Sequence, residues 1–471
     1  MPDTAILWFR RDLRLTDNPA LLRAAEAGRV LPLYIHAPEE EMPWAPGAAS
    51  RWWLHHSLTA LREALRARGS DLVIRSGAGI EVLRELLRNT GATQVFWNRL
   101  YEPVCIARDS AIKHELRDDG IVCESFDAAL LHEPWTVKNK AGAPFRVFTP
   151  FWKHCRQLGD APLPQPAPRR LPPLPKGIVS SSLDALGLLP RIGWDAGLAA
   201  AWQPGEAGAL HRLREFVHRA LADYAIDRDR PDLEGSSRLS PHLHFGEIGP
   251  RQLVAALHAA ATEHGVDPFL RQLGWREFAH HLLYHFPHTA DRPLDARFES
   301  FPWTCNEEAL AAWQHGRTGI PIVDAGMREL WQTGWMHNRV RMLAASLLTK
   351  NLRIDWHAGA KWFWDTLVDA DLANNTLGWQ WTAGCGADAA PYFRVFNPVL
   401  QGARFDPRGD YVRRWLPELA RLPTEHLHAP WQAPARVLSE SGVRLGIDYP
   451  LPIVDLADSR ETALAAWQTI R

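Results

Sequence analysis

Ala5-Ile-Leu-Trp-Phe-Arg-Arg-Asp-Leu-Arg-Leu-Thr-Asp-Asn18 decides the fold of the first part of the chain. Its opening five residues are all apolar, the pattern of a strand buried on both faces. Four runs of the same kind follow: Val30-Leu-Pro-Leu-Tyr-Ile35, Asp71-Leu-Val-Ile74, Gln94-Val-Phe-Trp97 and Ile121-Val-Cys123. Between them, residues 49–68 and 80–90 space their apolar side chains at helical intervals. Strand–helix alternation predicts a doubly wound parallel sheet of the Rossmann-like α/β type. The first strand runs into Arg10-Arg11-Asp12-Leu13-Arg14 and not into a Gly-rich phosphate turn. A nicotinamide cofactor held in the usual way is therefore not expected.

Outward from this core the character changes. Seven prolines fall within residues 161–175 and predict an extended linker. From about Glu206 helical patterns dominate, broken by Gly, Pro and Asn turns. The expected organisation is an α/β domain over 1–131, a connector over 132–205 and a mostly α-helical domain over 206–471. No internal repeat is visible.

The chain has 471 residues, enough for two to four domains and a large core. Its 53 Lys+Arg nearly balance 54 Asp+Glu, so no global field steers it onto nucleic acid, although a local basic patch is compatible. No apolar run reaches membrane-span length, and the N-terminal apolar stretch is too short for a signal peptide. The five cysteines are scattered without a CxxC pair, which argues against a disulfide framework or a zinc site and for a cytoplasmic setting. Tryptophan is in excess, 22 against 7 tyrosines. Core packing and chemistry both remain open as reasons.

Four clusters in the helical part carry polar chemistry. Gly235-Ser-Ser-Arg-Leu-Ser-Pro241 offers several donors to a phosphate, or else caps a helix. In the segment from Phe269 to Phe286, Gln272, Trp275, Arg276 and Ala279 share a helical face, either a pocket wall or a packed Trp beside a paired Arg. In Thr333-Gly-Trp-Met-His-Asn-Arg-Val-Arg-Met342 the same spacing puts Trp335, Asn338, Arg339 and Met342 on one face. Asp369-Ala-Asp-Leu-Ala-Asn-Asn-Thr-Leu-Gly-Trp-Gln-Trp381 joins two acids, two amides and two indoles. Its Asp-x-Asp has no partner set for a metal, and a cap or an ion pair with Arg341 is the simpler reading.

These clusters, taken with Trp8–Asn18, Gly319-Ile-Pro-Ile-Val-Asp-Ala325 and the stretch 389–398, resemble the DNA photolyase/cryptochrome family over nearly the whole chain. The resemblance implies FAD in the helical domain. Tyr224 and Ser236, Ser237, Arg238, Leu239 and Ser240 are similar to the diphosphate-binding turn. Phe269, Trp275 and Arg276 resemble residues lining the cofactor and lesion pocket. Arg341 and Asp369 resemble the ion pair against the isoalloxazine, Asp371 an adenosine or ribose contact, and Asn375 the side chain facing flavin N5.

Substrate residues follow from the same resemblance. Trp275 and Trp381 resemble the aromatic walls that receive a flipped pyrimidine dimer. Asn338 and Met342 resemble base contacts, with Asn338 also near the cofactor, and Arg228 and Arg339 resemble phosphate contacts. Trp379, Trp356 and Trp303 resemble the family's tryptophan chain from flavin to surface. The implied partner is UV-damaged DNA, acted on by a monomer through blue-light-driven electron transfer from reduced FAD.

Two departures bear on the substrate. Gln272 stands where the best-known dimer photolyases carry Glu, as in six-four photolyases, yet Asn338 stands where the latter carry a second His. Val104 and Cys105 replace the expected antenna contacts, while Ser50-Arg-Trp-Trp-Leu54 resembles plant-type cryptochromes and their bacterial photolyase relatives. Methenyltetrahydrofolate in a different pose is the expected antenna, with deazaflavin or an empty site as alternatives. A cryptochrome photoreceptor without repair is the competing reading. The helical pattern running close to Arg471, with no long tail, and the retained Asn338, Met342 and Trp381 favour repair.

Overall fold

The computed structural model describes residues 3–159, 161–260, 265–389 and 393–471. Residues 390–392 of the 389–398 motif thus lie outside the described residues. All five expected strands form: β1 (Asp3–Phe9), β2 (Gly28–His36), β3 (Val73–Ser76), β4 (Gln94–Asn98) and β5 (Val122–Phe126). They make one parallel sheet in the order β3-β2-β1-β4-β5. The chain reverses direction across the sheet at β1, as in a doubly wound fold. Helices Ala48–Arg66 and Gly79–Thr90 fill the expected positions. One apolar layer gathers Ile6, Leu31, Leu33, Val73, Leu83 and Val95 with Trp8 and Trp97.

The charged turn after β1 is a buried polar network. Asn18 caps helix Pro19–Glu26, and Asp12 accepts from the Asn98 amide at 2.6 Å. Arg10 donates to Asp109 at 2.7 Å. Arg14, 1% exposed, donates to the carbonyls of Asp17, Ala128 and Gly246 at 2.8–2.9 Å. Each buried guanidinium thus has carbonyl or carboxylate partners, as burial requires.

Contacts divide the chain into two compact units. The first holds residues 1–222, 237–287 and 368–372, and the second holds 223–236, 288–367 and 373–471. The sheet's unit therefore includes helices Glu206–Arg219 and Val266–His285. Glu206 shows why: its carboxylate accepts from the Leu15 and Thr16 amides at 2.9 and 3.0 Å. Residues 161–175 carry neither helix nor strand.

The second unit is helical. In helix Pro321–Thr333 Asp324 accepts from the Thr318 amide and hydroxyl, the Gly319 amide and the Tyr449 hydroxyl at 2.6–2.9 Å. The 319–325 motif is thereby a buried structural junction. Tryptophan serves the core of both units: Trp8, Trp52, Trp53, Trp97 and Trp313 are all fully buried. No helix among the described residues is long and apolar enough to cross a membrane.

Candidate functional site

In the first unit, helix Val266–His285 presents Gln272, Trp275 and Arg276, all half-buried, while Ala279 on the same stripe is buried. The Trp275 indole lies flat on Phe148, with centroids 3.8 Å apart and planes 7° apart. Arg276 donates to the Ala129 carbonyl at 2.6 Å, and Gln272 to the Pro268 carbonyl at 3.3 Å. Phe269 packs on Phe216 at 4.7 Å. This face mixes polar and aromatic groups, each held by its own contact, as a pocket wall would.

Asp371 is the electrostatic centre of this half. Its carboxylate lies 3.7 Å from His244 and 3.6 Å from His280. Burial pushes its pKa up, but His280, His244 and Arg276 outweigh burial and hold it well below the usual carboxylate range. Burial lowers His280. The ionised Asp371 carboxylate is an acceptor suited to a sugar hydroxyl, while His280 turns Nδ1 to the Arg276 carbonyl at 3.0 Å. The 237–240 turn lies nearby in sequence to His244. Arg238 takes a left-handed φ of 51°, and the Ser237 hydroxyl accepts from the Leu239 amide at 3.4 Å. Ser240 opens the short helix Ser240–His244 with its side chain exposed.

The second unit contains the remaining expected residues. Gly334, in the left-handed region, ends helix Pro321–Thr333, and His337 caps a new helix, Asn338–Ser346. Trp335 therefore lies in the connector and not on the helical face expected for it. It is 7% exposed, whereas Asn338 is exposed and Arg339 and Met342 are half-buried on the helix. Periodicity misread this segment because Gly334 restarts the helix.

Arg339 donates to Asp229 at 2.6 Å, and Arg228 lies 3.8 Å from the same carboxylate. Asp229 thus gathers both predicted phosphate contacts. The Arg228 guanidinium also sits 5.8 Å over Tyr224, whose hydroxyl burial pushes up to about 12. Ser236 is half-buried. Arg341 donates to the Met336 carbonyl at 2.7 Å. In helix Leu372–Ala383, Asn375 donates to the Ala360 carbonyl at 3.1 Å and Trp381 to the Asp388 carbonyl at 3.0 Å.

Trp379 is packed by Phe363 at 5.0 Å and Trp313 at 6.1 Å, both edge-on. Gly359 makes that seat possible, since a Cβ there would meet the Trp379 ring at 2.1 Å. Trp356 is buried, Trp303 is half-buried, and both line a cavity of about 420 Å³ with Phe298, Asp355 and His357. Sequence reading missed His244, His280, Phe148, Asp229 and Phe363, none of which carries a periodic signal linking it to its partner.

The residues fit FAD. The set supplies hydroxyls, a guanidinium, amides and an ionised acid, the donors and acceptors a flavin dinucleotide needs. Gly378, between Asn375 and Trp381, has no heavy atom within 4 Å of where a Cβ would stand, which leaves that helix face open. No metal-binding group of three His, Cys, Asp or Glu occurs among the described residues.

Comparison with known proteins matches this picture. Residues 5–169 match the DNA photolyase model, and residues 269–469 the model of the FAD binding domain of DNA photolyase. A deoxyribodipyrimidine photo-lyase of Agrobacterium fabrum is 47% identical over 99% of this chain and 98% of its own. Cryptochrome-2 of Arabidopsis thaliana is 44% identical over 100% of this chain and 80% of its own. The crystal structure of a bacterial class III photolyase from Agrobacterium tumefaciens superposes with a TM-score of 0.97, at 47% identity, covering 100% of this chain and 98% of that one.

Proposed function

Since the chain belongs to the DNA photolyase/cryptochrome family, we propose that it is a deoxyribodipyrimidine photo-lyase that repairs cyclobutane pyrimidine dimers in DNA under blue light. The observation that carries this is likeness to photolyases over the full length of both partners, in sequence and in fold. When bound, reduced FAD would supply light-driven electron transfer to the dimer.

The chain's own residues bind and orient. Tyr224, Ser236, Ser237, Arg238, Leu239 and Ser240 hold the diphosphate. Asp371 accepts from the adenosine ribose, while Phe269 and Arg276 line the cofactor. Arg341, Asp369, Asn338 and Asn375 address the flavin ring system, where Arg341 favours negative charge. No proton-transfer base is required of the protein.

On the DNA side, Arg228 and Arg339 hold phosphates without reading sequence. Photolyases are among the enzymes for which target-nucleotide flipping is established, and a damaged pair costs less to unstack. Trp275 and Trp381 offer indole faces to the everted bases, replacing part of the lost stacking. Gln272, Asn338 and Met342 contact the dimer. Gln272 can donate through its amide but cannot supply a proton. Trp379, Trp356 and Trp303 form the path by which electrons reach the cofactor from the surface.

Methenyltetrahydrofolate is the proposed antenna of the sheet-containing unit, to be read from the near-ultraviolet spectrum of the purified protein. The repair reading is tested by incubating the protein with dimer-containing oligonucleotide in blue light and in darkness. Dimer loss in light alone is expected, and equal dimer content in both would overturn it. The 44% identity to Arabidopsis cryptochrome-2 supports one second reading, a photoreceptor. Flavin photoreduction without dimer loss would select it.

A further inference from the structure

Trp356 opens helix Trp356–Thr366 and is 2% exposed. The next side chain lies on it: the His357 imidazole is stacked on the indole, with centroids 3.8 Å apart and planes 28° apart. Both ring nitrogens of His357 face atoms that can only accept. Nδ1 is 2.7 Å from Asp355 Oδ1, and Nε2 is 2.9 Å from the Asp291 carbonyl oxygen. A neutral imidazole has one N–H, so its bare nitrogen would point a lone pair at a lone pair. Two acceptors at hydrogen-bond distance therefore specify the doubly protonated ring.

The surroundings keep this arrangement in place. Asp355 is fixed as the cap of the helix, accepting from the His357 amide at 3.0 Å. Asp291, Arg292 and Glu299 line the same cavity as Trp303, Trp356 and His357. Lys361 stands further along the helix. Burial and Lys361 act to lower the His357 pKa, but Asp355 and the Asp291 carbonyl outweigh them and raise it above 6.5.

We propose that His357 is an imidazolium that makes Trp356 the harder to oxidise of the two indoles lining this cavity, and so drives positive charge outward to Trp303. The proposal rests on reading Trp379, Trp356 and Trp303 as an electron path to the flavin. A positive indole 3.8 Å from a positive imidazole is disfavoured by charge repulsion. Relief comes when one electron passes from Trp303 to oxidised Trp356. Trp303 is oxidised, Trp356 is reduced, and no bond forms or breaks. The oxidant that first draws on Trp356 is oxidised Trp379, itself oxidised by photoexcited isoalloxazine. Trp303, half-buried where Trp356 is buried, is the residue of the pair better placed to be re-reduced from solution. His357 touches no substrate and acts only through Trp356.

The test has two arms on the full-length flavin-loaded protein, with His357→Gln as the neutral variant that keeps one side-chain donor. In the first, imidazole nitrogen shifts are followed by NMR from pH 5 to 9, and the signal lost in H357Q is assigned to His357. Both nitrogens protonated at pH 7 is the expected result, and a single-tautomer neutral ring overturns the proposal. In the second, long-lived tryptophan radical is measured by transient absorption after a blue flash. Its yield in the wild type is expected to fall, by up to about tenfold, as pH rises through the His357 midpoint, and to be low and flat in H357Q. A flat wild-type profile, or an H357Q profile like the wild type's, overturns it. No tryptophan oxidation at all, with the imidazolium signal intact, overturns the outward transfer through failure of the electron-path reading.

Discussion

The Trp275 indole and the Phe148 ring are stacked face to face, 3.8 Å between centroids. The contact fixes the plane of a half-buried indole. Trp275→Ala should weaken binding of dimer-containing oligonucleotide about 5- to 150-fold, the ~1–3 kcal/mol of one base–aromatic stack. Phe148→Leu should weaken it in the same direction by less, because Trp275 stays but loses its backing. Fluorescence anisotropy at fixed salt reads both. Unchanged affinity in Trp275→Ala would remove the indole from the lesion site.

Arg339 and Asp229 give a prediction of opposite signs. On the phosphate role proposed for Arg339, Asp229, 2.6 Å from it, would compete with phosphate for the guanidinium. Arg339→Gln should lower affinity for damaged and undamaged DNA alike and reduce the slope of log affinity against log salt by about one. Asp229→Asn should raise affinity and steepen the slope. Parallel loss in both variants would show Asp229 to be needed for the fold of this corner and not to restrain Arg339.

Gly359 is the seat of Trp379. A methyl group there would stand 2.1 Å from the ring, so Gly359→Ala must displace the indole or the helix. Overpacking of this kind costs about 1–3 kcal/mol. A lower urea midpoint is expected, together with slower photoreduction of the bound flavin. A stability loss with photoreduction unchanged would take Trp379 off the electron path.

Acid sensitivity is expected from His281. Burial and His285 push its pKa down from 6.5 to about 4, and its Nε2 accepts from the Phe145 amide at 3.0 Å. A base whose pKa is lowered by folding takes up its proton more readily when unfolded. Its contribution is complete above pH 6.5 and is lost as pH falls toward 4, up to about 3 kcal/mol. Urea midpoints at pH 7 and pH 5 should converge in His281→Gln, which is weaker at pH 7 but flatter. Equal pH dependence in both proteins would contradict this.

Much of the architecture was legible because it is local. β1 to β5 each contain a short apolar run, the pattern that a parallel strand covered on its faces calls for. The site was legible only in part. The spacing of Gln272, Trp275 and Arg276 gave a true helical face. The same rule failed at Trp335, since Gly334 in the left-handed region breaks the phase between two helices. The pairing of Asp371 with His244 and His280 joins segments far apart in the chain, and no periodicity encodes such contacts. The stack of His357 on Trp356 is between adjacent residues and still could not be read. It depends on where the cap Asp355 and the Asp291 carbonyl hold the ring.

Among the described residues, hydrogen bonds fasten the proline-rich stretch to the sheet's unit at two places: Asp17 and Gln165 exchange hydrogen bonds at 2.7 and 3.2 Å, and the Leu171 amide donates to the Arg68 carbonyl at 2.9 Å. Seven prolines in residues 161–175 remove seven N–H groups that would otherwise demand acceptors. A donor-poor ribbon can therefore be clasped at two places and need no ladder between them. Length could be added or removed between Gln165 and Leu171 with little disturbance, whereas a change at Asp17 would unfasten the ribbon from its anchor.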